Sequence, residues 1–427
     1  MDLLTAFVIT LALITLVSVR YRISPFFTLI GGSILFGLLG GLTLDETMLG
    51  IIAGIGKVFS AFGIIILCGA VIAKLLQEQN QIGEIVADIR QRVRNPRKIA
   101  GISGYILAVP ITCCITAYIM LNPILDSLEN DPKKRTVLLY LAAVGSIISY
   151  ALIYPTPVVI PLFDAFSLGM SPLLYDAIAI PISLAALAGI LLFFRWWALG
   201  NGSGNSSLSV KTDEIPSGVP APGSPIHWRA WTPFIAILLS IPVALFIFRL
   251  SQMSMINFIM LTGAVTALAL APHSVRSRGL TQGAKHAGMI IFDICGAGAL
   301  GFVIVKSGFA QAALGELTLF IPIILVPFLL AALIETAQGS RVVTAVITAE
   351  VLAGSAVVSV IHPIPLILLI SAGSCIVSYV TDPYFWLVQR TTGDDVRTVM
   401  RNYTLPVALV GIFLLIVALC LEYVVFR

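Results

Sequence analysis

Apolar runs recur along the whole chain, at about 3–19, 25–42, 49–75, 99–125, 136–162, 171–194, 230–248, 253–272, 287–305, 318–355, 363–389 and 403–425, with short polar stretches between them. Crossing a bilayer core about 30 Å thick takes about 20 apolar residues in a helix, and most of these runs reach that length. Inside lipid every backbone N–H and C=O must be satisfied within the protein, and a single segment does so as a helix. The pattern therefore predicts an all-α polytopic membrane protein. Residues 82–96 read differently: Ile82, Ile85, Val86, Ile89 and Val93 recur at helical spacing with charges between them, which predicts an amphipathic helix on the cytoplasmic interface.

Composition sharpens this class. The 427 residues are 58% hydrophobic and only 11% charged, and the mean hydropathy is +1.03. A soluble chain is about a quarter charged, so a water-soluble enzyme is excluded. The net charge of +4 carries no implication of nucleic acid, because the basic residues fall in the loops, where they report orientation. The six cysteines lie in apolar stretches without Cys-x-x-Cys or His at ligand spacing, so neither zinc nor a disulfide framework is indicated, and no cofactor is implied. Cys113 and Cys114 read as small packing residues. Residues 3–19 lack a preceding basic stretch and a following small-residue cleavage site, so the first run is expected to remain as a membrane helix.

The basic clusters lie at 20–24, 76–98, 133–135, 195–229, 273–286 and 390–401, and with Lys74 they hold 20 of the 25 Lys and Arg. Those on either side of 99–125 are both basic, which places both in the cytoplasm. The segment must then enter and return. With Pro110 near its middle, it suits a re-entrant hairpin of two half-helices, tolerated only where the tip is buried in protein or lines a wet cavity. One long Pro-kinked helix is the alternative.

The tract Gly145-Ser146-Ile147-Ile148-Ser149-Tyr150, ending in Pro155, reappears in the second half as Gly373-Ser374-Cys375-Ile376-Val377-Ser378-Tyr379, ending in Pro383, and the glycine and proline keep their spacing. The offset between the two copies also lays 229–248, 253–272, 287–305, 331–354 and 403–425 on the first three helices, the hairpin and 171–196. Each half then holds about five transmembrane helices plus one re-entrant hairpin, and the odd number of crossings makes the repeats inverted. Ten crossings starting outside put all six basic clusters in the cytoplasm. The expected organisation is a first repeat over 1–196, a Gly/Ser/Pro-rich cytoplasmic linker over 197–228, and a second repeat over 229–427. Such repeats with broken helices are the architecture of secondary transporters.

Candidate chemistry follows from polar residues where lipid would penalise them. Glu335-Thr336-Ala337-Gln338-Gly339-Ser340-Arg341 interrupts the second hairpin, and a charge at a helix centre costs about 2.5–3.5 kcal/mol on insertion scales. Gly339 permits a tight tip, Ser340 opens the returning half-helix, whose free N–H groups attract an anion, and Arg341 offers a bidentate carboxylate partner; an internal Glu335–Arg341 ion pair is the plainer alternative. The helices break at Tyr154-Pro155-Thr156-Pro157 and Thr381-Asp382-Pro383, freeing carbonyls that, with Ser149, Thr156, Ser374, Ser378 and Thr381, would line a polar pocket. Asp382 is an ion carrier by position and a helix N-cap by type, and Glu335 is the second acid of the coupling site. Lys57, Asp176 and Asp293 are read as pathway groups near helix ends, able to snorkel. Glu350 is expected to pair with a base, and His362 to be a loop residue.

At these residues the chain resembles the gluconate permease family of gluconate:proton symporters, within the ion transporter superfamily. Residues 373–386, Gly-Ser-Cys-Ile-Val-Ser-Tyr-Val-Thr-Asp-Pro-Tyr-Phe-Trp, are similar to the family's Gly-Ser, Ser-His-x-Asn-Asp-Pro-x-Phe-Trp segment, and Gly339-Ser340 with Val343-Thr344-Ala345-Val346-Ile347-Thr348-Ala349 to its hairpin. Thinner similarity covers almost the whole chain, including Gly40-Gly41-Leu42 and Gly69-Ala70. The resemblance implies proton-coupled import of a small organic anion, such as gluconate or a related sugar or hydroxy acid, across the cell inner membrane. It also implies two hairpin tips around one site and, by superfamily analogy, often a homodimer among the lipids. The chain departs from the pattern at Tyr154-Pro155-Thr156-Pro157-Val158-Val159, which lacks a histidine, at Ile115 in place of a glutamate, and at Tyr379 and Thr381 in place of His and Asn; several groups that would hold a polyol are thus missing. The expected substrate contacts are Ser340 and Thr112 at the two tips, with hydroxyls on the broken helices. A sodium-coupled carboxylate carrier or an ion-only antiporter is the alternative, and a passive channel a further one. An intramembrane hydrolase finds no His-Glu-x-x-His and no convincing Ser/His pair.

Overall fold

The computed structural model describes residues 3–21, 25–93, 95–129, 131–166, 169–200, 226–309, 312, 321–379 and 382–426, and among these there is no strand. The first half runs α1 (Leu3–Tyr21), α2 (Pro25–Leu39), α3 (Leu44–Glu78), α4 (Gln81–Arg92), α5 (Pro96–Ala108), α6 (Cys114–Leu128), α7 (Pro132–Leu152), α8 (Val159–Phe166) and α9 (Pro172–Gly200). The second runs α10 (Trp228–Pro242), α11 (Gln252–Leu270), α12 (His273–Lys306), α13 (Val326–Gln338), α14 (Arg341–Ala353), α15 (Pro363–Ile376), α16 (Pro383–Thr392) and α17 (Leu405–Cys420). Of the 197–228 linker, residues 201–225 lie outside the described residues.

Both anticipated hairpins are pairs of short helices. α5 and α6 have 13 and 15 residues, α13 and α14 have 13 each. At about 1.5 Å per residue each is about 20–22 Å long, short of the roughly 30 Å apolar core. By contrast, α3 and α12 have 35 and 34 residues, about 50 Å each. They overrun the apolar segments at 49–75 and 287–305 because Lys, Arg, Gln and Glu are good helix formers and continue a helix past the lipid boundary. The basic stretches 273–286 and 133–135, expected as loops, are accordingly the first turns of α12 and α7.

The chain forms two compact units, each built from pieces of both halves: residues 1–60, 151–183 and 290–427 in one, 61–150 and 184–289 in the other. In the first unit α15 is the centre. Its residues from Ile364 to Cys375 are all buried, and it packs on α13, α14, α17 and α8. Eleven residues of α14 are buried too. In the second unit the α5–α6 hairpin packs together, and α4 lies against α5, α6 and α10. The amphipathic helix expected over 82–96 is therefore present, but its apolar face, Ile82, Ile85, Val86 and Ile89, is buried in protein and not in lipid. Asp88 anchors it: its carboxylate accepts from the His227 backbone N–H (3.0 Å), His227 Nδ1 (2.8 Å) and Trp231 Nε1 (2.8 Å). Large apolar side chains point outward instead on α9 (Leu173, Leu174, Leu184, Leu192) and α17 (Ile412, Ile416), the inside-out pattern of a lipid-facing helix.

Candidate functional site

The second hairpin turns at Gly339, whose φ of 67° is left-handed and whose N–H donates to the Glu335 carbonyl at 2.7 Å. That conformation costs a residue without Cβ nothing. Ser340 is then the N-cap of α14, its Oγ accepting from Val343 N–H at 3.5 Å. Arg341 is therefore the first residue of the returning half-helix, at the positive end of its dipole. Its side chain is 5% exposed. Nη2 donates to Ser378 Oγ, Nη1 lies 3.5 Å from Asp382 Oδ2, and the Cys375 thiol borders it. Nε has no hydrogen-bond partner among the described residues.

Asp382 is 2% exposed and fully engaged. Oδ1 caps α16 by accepting from Tyr384 N–H at 2.8 Å, and Oδ2 accepts from Tyr403 Oη at 3.1 Å while facing Arg341. The cap weighed against the carrier role is thus present, and in place of the Glu335–Arg341 ion pair weighed as the plainer alternative, the guanidinium pairs with Asp382. Helix geometry explains the difference: residue 382 enters from a separate helix break, at the level of the hairpin tip. Glu335, fully buried, accepts from Thr344 Oγ1 at 2.8 Å through Oε2, and its Oε1 has no partner among the described residues. Ser374 is buried with its hydroxyl on the Ser371 carbonyl at 2.8 Å. Glu335, Gly339, Ser340, Arg341, Ser378 and Asp382 are brought together at the ends of α13, α14, α15 and α16, and Ser374 precedes Cys375 on α15. The Gln338 side chain and Thr381 lie outside the described residues.

Both helix breaks fall where the prolines predict, between α7 and α8 and between α15 and α16. Their freed carbonyls are less available than expected. Tyr175 Oη donates to the Leu152 carbonyl at 2.9 Å, and Thr404 Oγ1 to the Ser378 carbonyl at 2.5 Å. Asp176 accepts from Tyr154 N–H at 2.9 Å, so it braces the first break. The sequence pattern did not single out Tyr175, Tyr403 or Thr404, yet it holds a signal for them: the offset between the two Gly-Ser tracts also lays Tyr175 and Asp176 on Tyr403 and Thr404.

Thr112 and Ser149 belong to the other unit. Thr112, 3% exposed, sits at the first hairpin tip with a φ of 53°, so tight against α3 that a Cβ on Gly69 would collide with its Oγ1. Cys113 is the N-cap of α6, its sulfur accepting from Thr116 N–H at 3.4 Å, a more specific role than packing. The buried hydroxyl of Ser149 turns back to the Ser146 carbonyl at 3.4 Å. Thr156 is buried in the first break and receives Val159 N–H at 3.4 Å. Lys57 and Asp293 lie well inside α3 and α12, not near helix ends: Lys57 Nζ pairs with Glu350 Oε1 at 2.7 Å, and Asp293 accepts from Phe26 N–H at 3.2 Å. Glu350 thus has its base. His362 is the cap preceding α15. Among the described residues no cluster of metal-ligating side chains occurs.

The sequence profile of the GntP family permeases matches residues 1–213 and 230–424. An uncharacterized permease of Haemophilus influenzae is 24% identical over 91% of this chain and 85% of its own length. The gluconate permease of Pseudomonas aeruginosa is 24% identical over 99% of this chain and 98% of its own. In fold, the chain is similar to the YdaH transporter of Alcanivorax borkumensis, with a TM-score of 0.62 at 12% identity and 89% of each chain covered. Long apolar helices, two hairpins and a profile match over nearly the full length lead to one conclusion: the chain belongs to the GntP family of permeases, a multi-pass membrane transporter and not an enzyme.

Proposed function

We propose that this permease imports a small organic anion, gluconate or a related sugar or hydroxy acid, together with protons across the inner membrane by alternating access. The observation that carries the reading is a buried guanidinium at the start of a half-length hairpin helix, beside a helix break. Helix N–H groups and an arginine with a free Nε edge suit a carboxylate. Ser340 and Arg341, with Gly339 and Gln338 at the turn, form the carboxylate end of the site. Ser374, Ser378 and Thr381 serve substrate hydroxyls, and Thr156 belongs to the matching break of the first half. Glu335 and Asp382 are the two buried acids of the coupling site. The names of relatives, among them a gluconate permease, support the substrate class.

The test is uptake of labelled gluconate into proteoliposomes under an imposed pH gradient, repeated with a sodium gradient. Accumulation driven by the pH gradient alone is expected. Accumulation that follows sodium makes this a sodium-coupled carrier, and none across a panel of sugar acids favours an ion-only antiporter.

A further inference from the structure

The two buried acids of the site do not have equivalent surroundings. Asp382 has a cation, a backbone N–H and a phenolic hydroxyl on its two oxygens. Its charge is compensated in place. Glu335 is equally buried but has one neutral donor, the Thr344 hydroxyl, and one oxygen without a partner among the described residues. An ionised carboxylate so placed is very unfavourable unless a cation or several donors meet it, whereas the protonated acid sits there without charge. Arg341, the nearest cation, is already paired with Asp382.

We propose that Glu335 is the residue that carries the coupled proton, and that its protonation is the condition for an organic anion to occupy the helix start at Ser340 and Arg341. This rests on the anion-transport reading above and assigns its coupling step. Charge counting gives the reason. Arg341 and Asp382 sum to zero, so an incoming carboxylate beside an ionised Glu335 would put two uncompensated negative charges in one buried site. With Glu335 neutral there is one, facing the α14 N-terminus and the guanidinium. The acid takes a proton from the outer medium before the anion binds and returns it to the cytoplasm after the anion leaves, so an anion does not cross without a proton. Asp382 remains ionised throughout as the fixed partner of Arg341, a positioning residue.

Among the described residues, few groups face Glu335. α14 brings Arg341, the break before α16 brings Asp382, and α15 brings Cys375. Tyr403 stands behind Asp382. α1, which also packs on α13, carries its acid–base groups, Arg20 and Tyr21, in its last turn. No second base competes for the proton among these.

Glu335→Gln, the neutral isostere of the protonated acid, provides the test in proteoliposomes with labelled gluconate. The variant is expected to lose accumulation under a pH gradient while its gluconate exchange becomes independent of pH. Thr344→Val, which removes the one donor that favours the ionised form, is expected to move the pH midpoint of wild-type exchange upward. Infrared difference spectra of the substrate-free protein are expected to show a protonated carboxyl band that Glu335→Gln lacks. That readout does not depend on gluconate being the substrate, so it separates a wrong solute from a wrong proton site. Glu335→Gln that still accumulates gluconate with the pH gradient, an unmoved midpoint in Thr344→Val, or an infrared band unchanged in Glu335→Gln would overturn the assignment.

Discussion

Arg341 and Asp382 are bound to each other more tightly than their distance along the chain suggests. Removing one member of a buried pair leaves the other uncompensated, at a cost of about 3–5 kcal/mol. Asp382→Asn keeps an oxygen for the Tyr384 N–H but strands the guanidinium, so a clear fall in Tm in detergent is expected even with the cap intact. Arg341→Met is expected to do the same, while the double variant Arg341→Met/Asp382→Asn is less destabilised than the two losses added together. Simple additivity in that cycle would show that the pair is not coupled. Arg341→Lys retains the charge for Asp382 but loses the fork that also reaches Ser378, so gluconate uptake should fall at least tenfold in a protein that still folds. These predictions stand on the partner identified by tertiary contact. From the sequence, Glu335 is the nearer and more obvious partner.

At the level of elements, the second hairpin and the break before α16 form the candidate site, and the hairpins and breaks are each held by contacts beyond themselves. The first tip leans on α3, where a methyl at Gly69 would run into Thr112 Oγ1. Overpacking of this kind costs about 1–3 kcal/mol. Gly69→Ala is expected to lower Tm and uptake, Thr112→Ala to restore much of both in the same chain, and Gly189→Ala, with open space around it, to change neither. α4 makes the complementary case. Asp88→Ala would orphan three donors from the start of α10, a loss of about 1–3 kcal/mol, visible as earlier thermal unfolding in detergent. The existence of these elements was legible because Pro, Gly-Ser and charge interrupt otherwise continuous apolar runs. Their supports were not, since the donors to Ser378 and Asp382 come from Thr404 and Tyr403, beyond the next helix.

Across the whole molecule, the order of helices supports the proposed inverted repeat: α1 answers to α10, α2 to α11, α3 to α12, and the α5–α6 hairpin to α13–α14. In the proposed re-entrant arrangement, half-length helices of 13 to 15 residues return each hairpin to the side it entered. In a Cys420→Ser background, cysteines placed by Lys98→Cys and Lys133→Cys should therefore both react with a membrane-impermeant thiol reagent from the cytoplasmic face. Labelling of one from each side would remove the re-entrant reading of α5 and α6. The compact units are not the halves, because α3, α7, α9 and α12 pass from one unit to the other, which a linear reading of repeats has no means of showing.

Lipid acts on each segment separately, and its demands are therefore written along the chain: helices wherever apolar runs are long, polar interruptions only where protein shelters them, and basic residues at the ends. The amino-acid order alone was enough to read these. Which charge neutralises which, which hydroxyl seals a broken helix, and that Glu335 accepts its hydrogen bond from a neutral hydroxyl became visible in the folded chain and nowhere else. Such pairings depend on helices far apart in sequence meeting at one depth, and a buried charge is stabilised by whatever stands within a few ångströms, whatever its residue number.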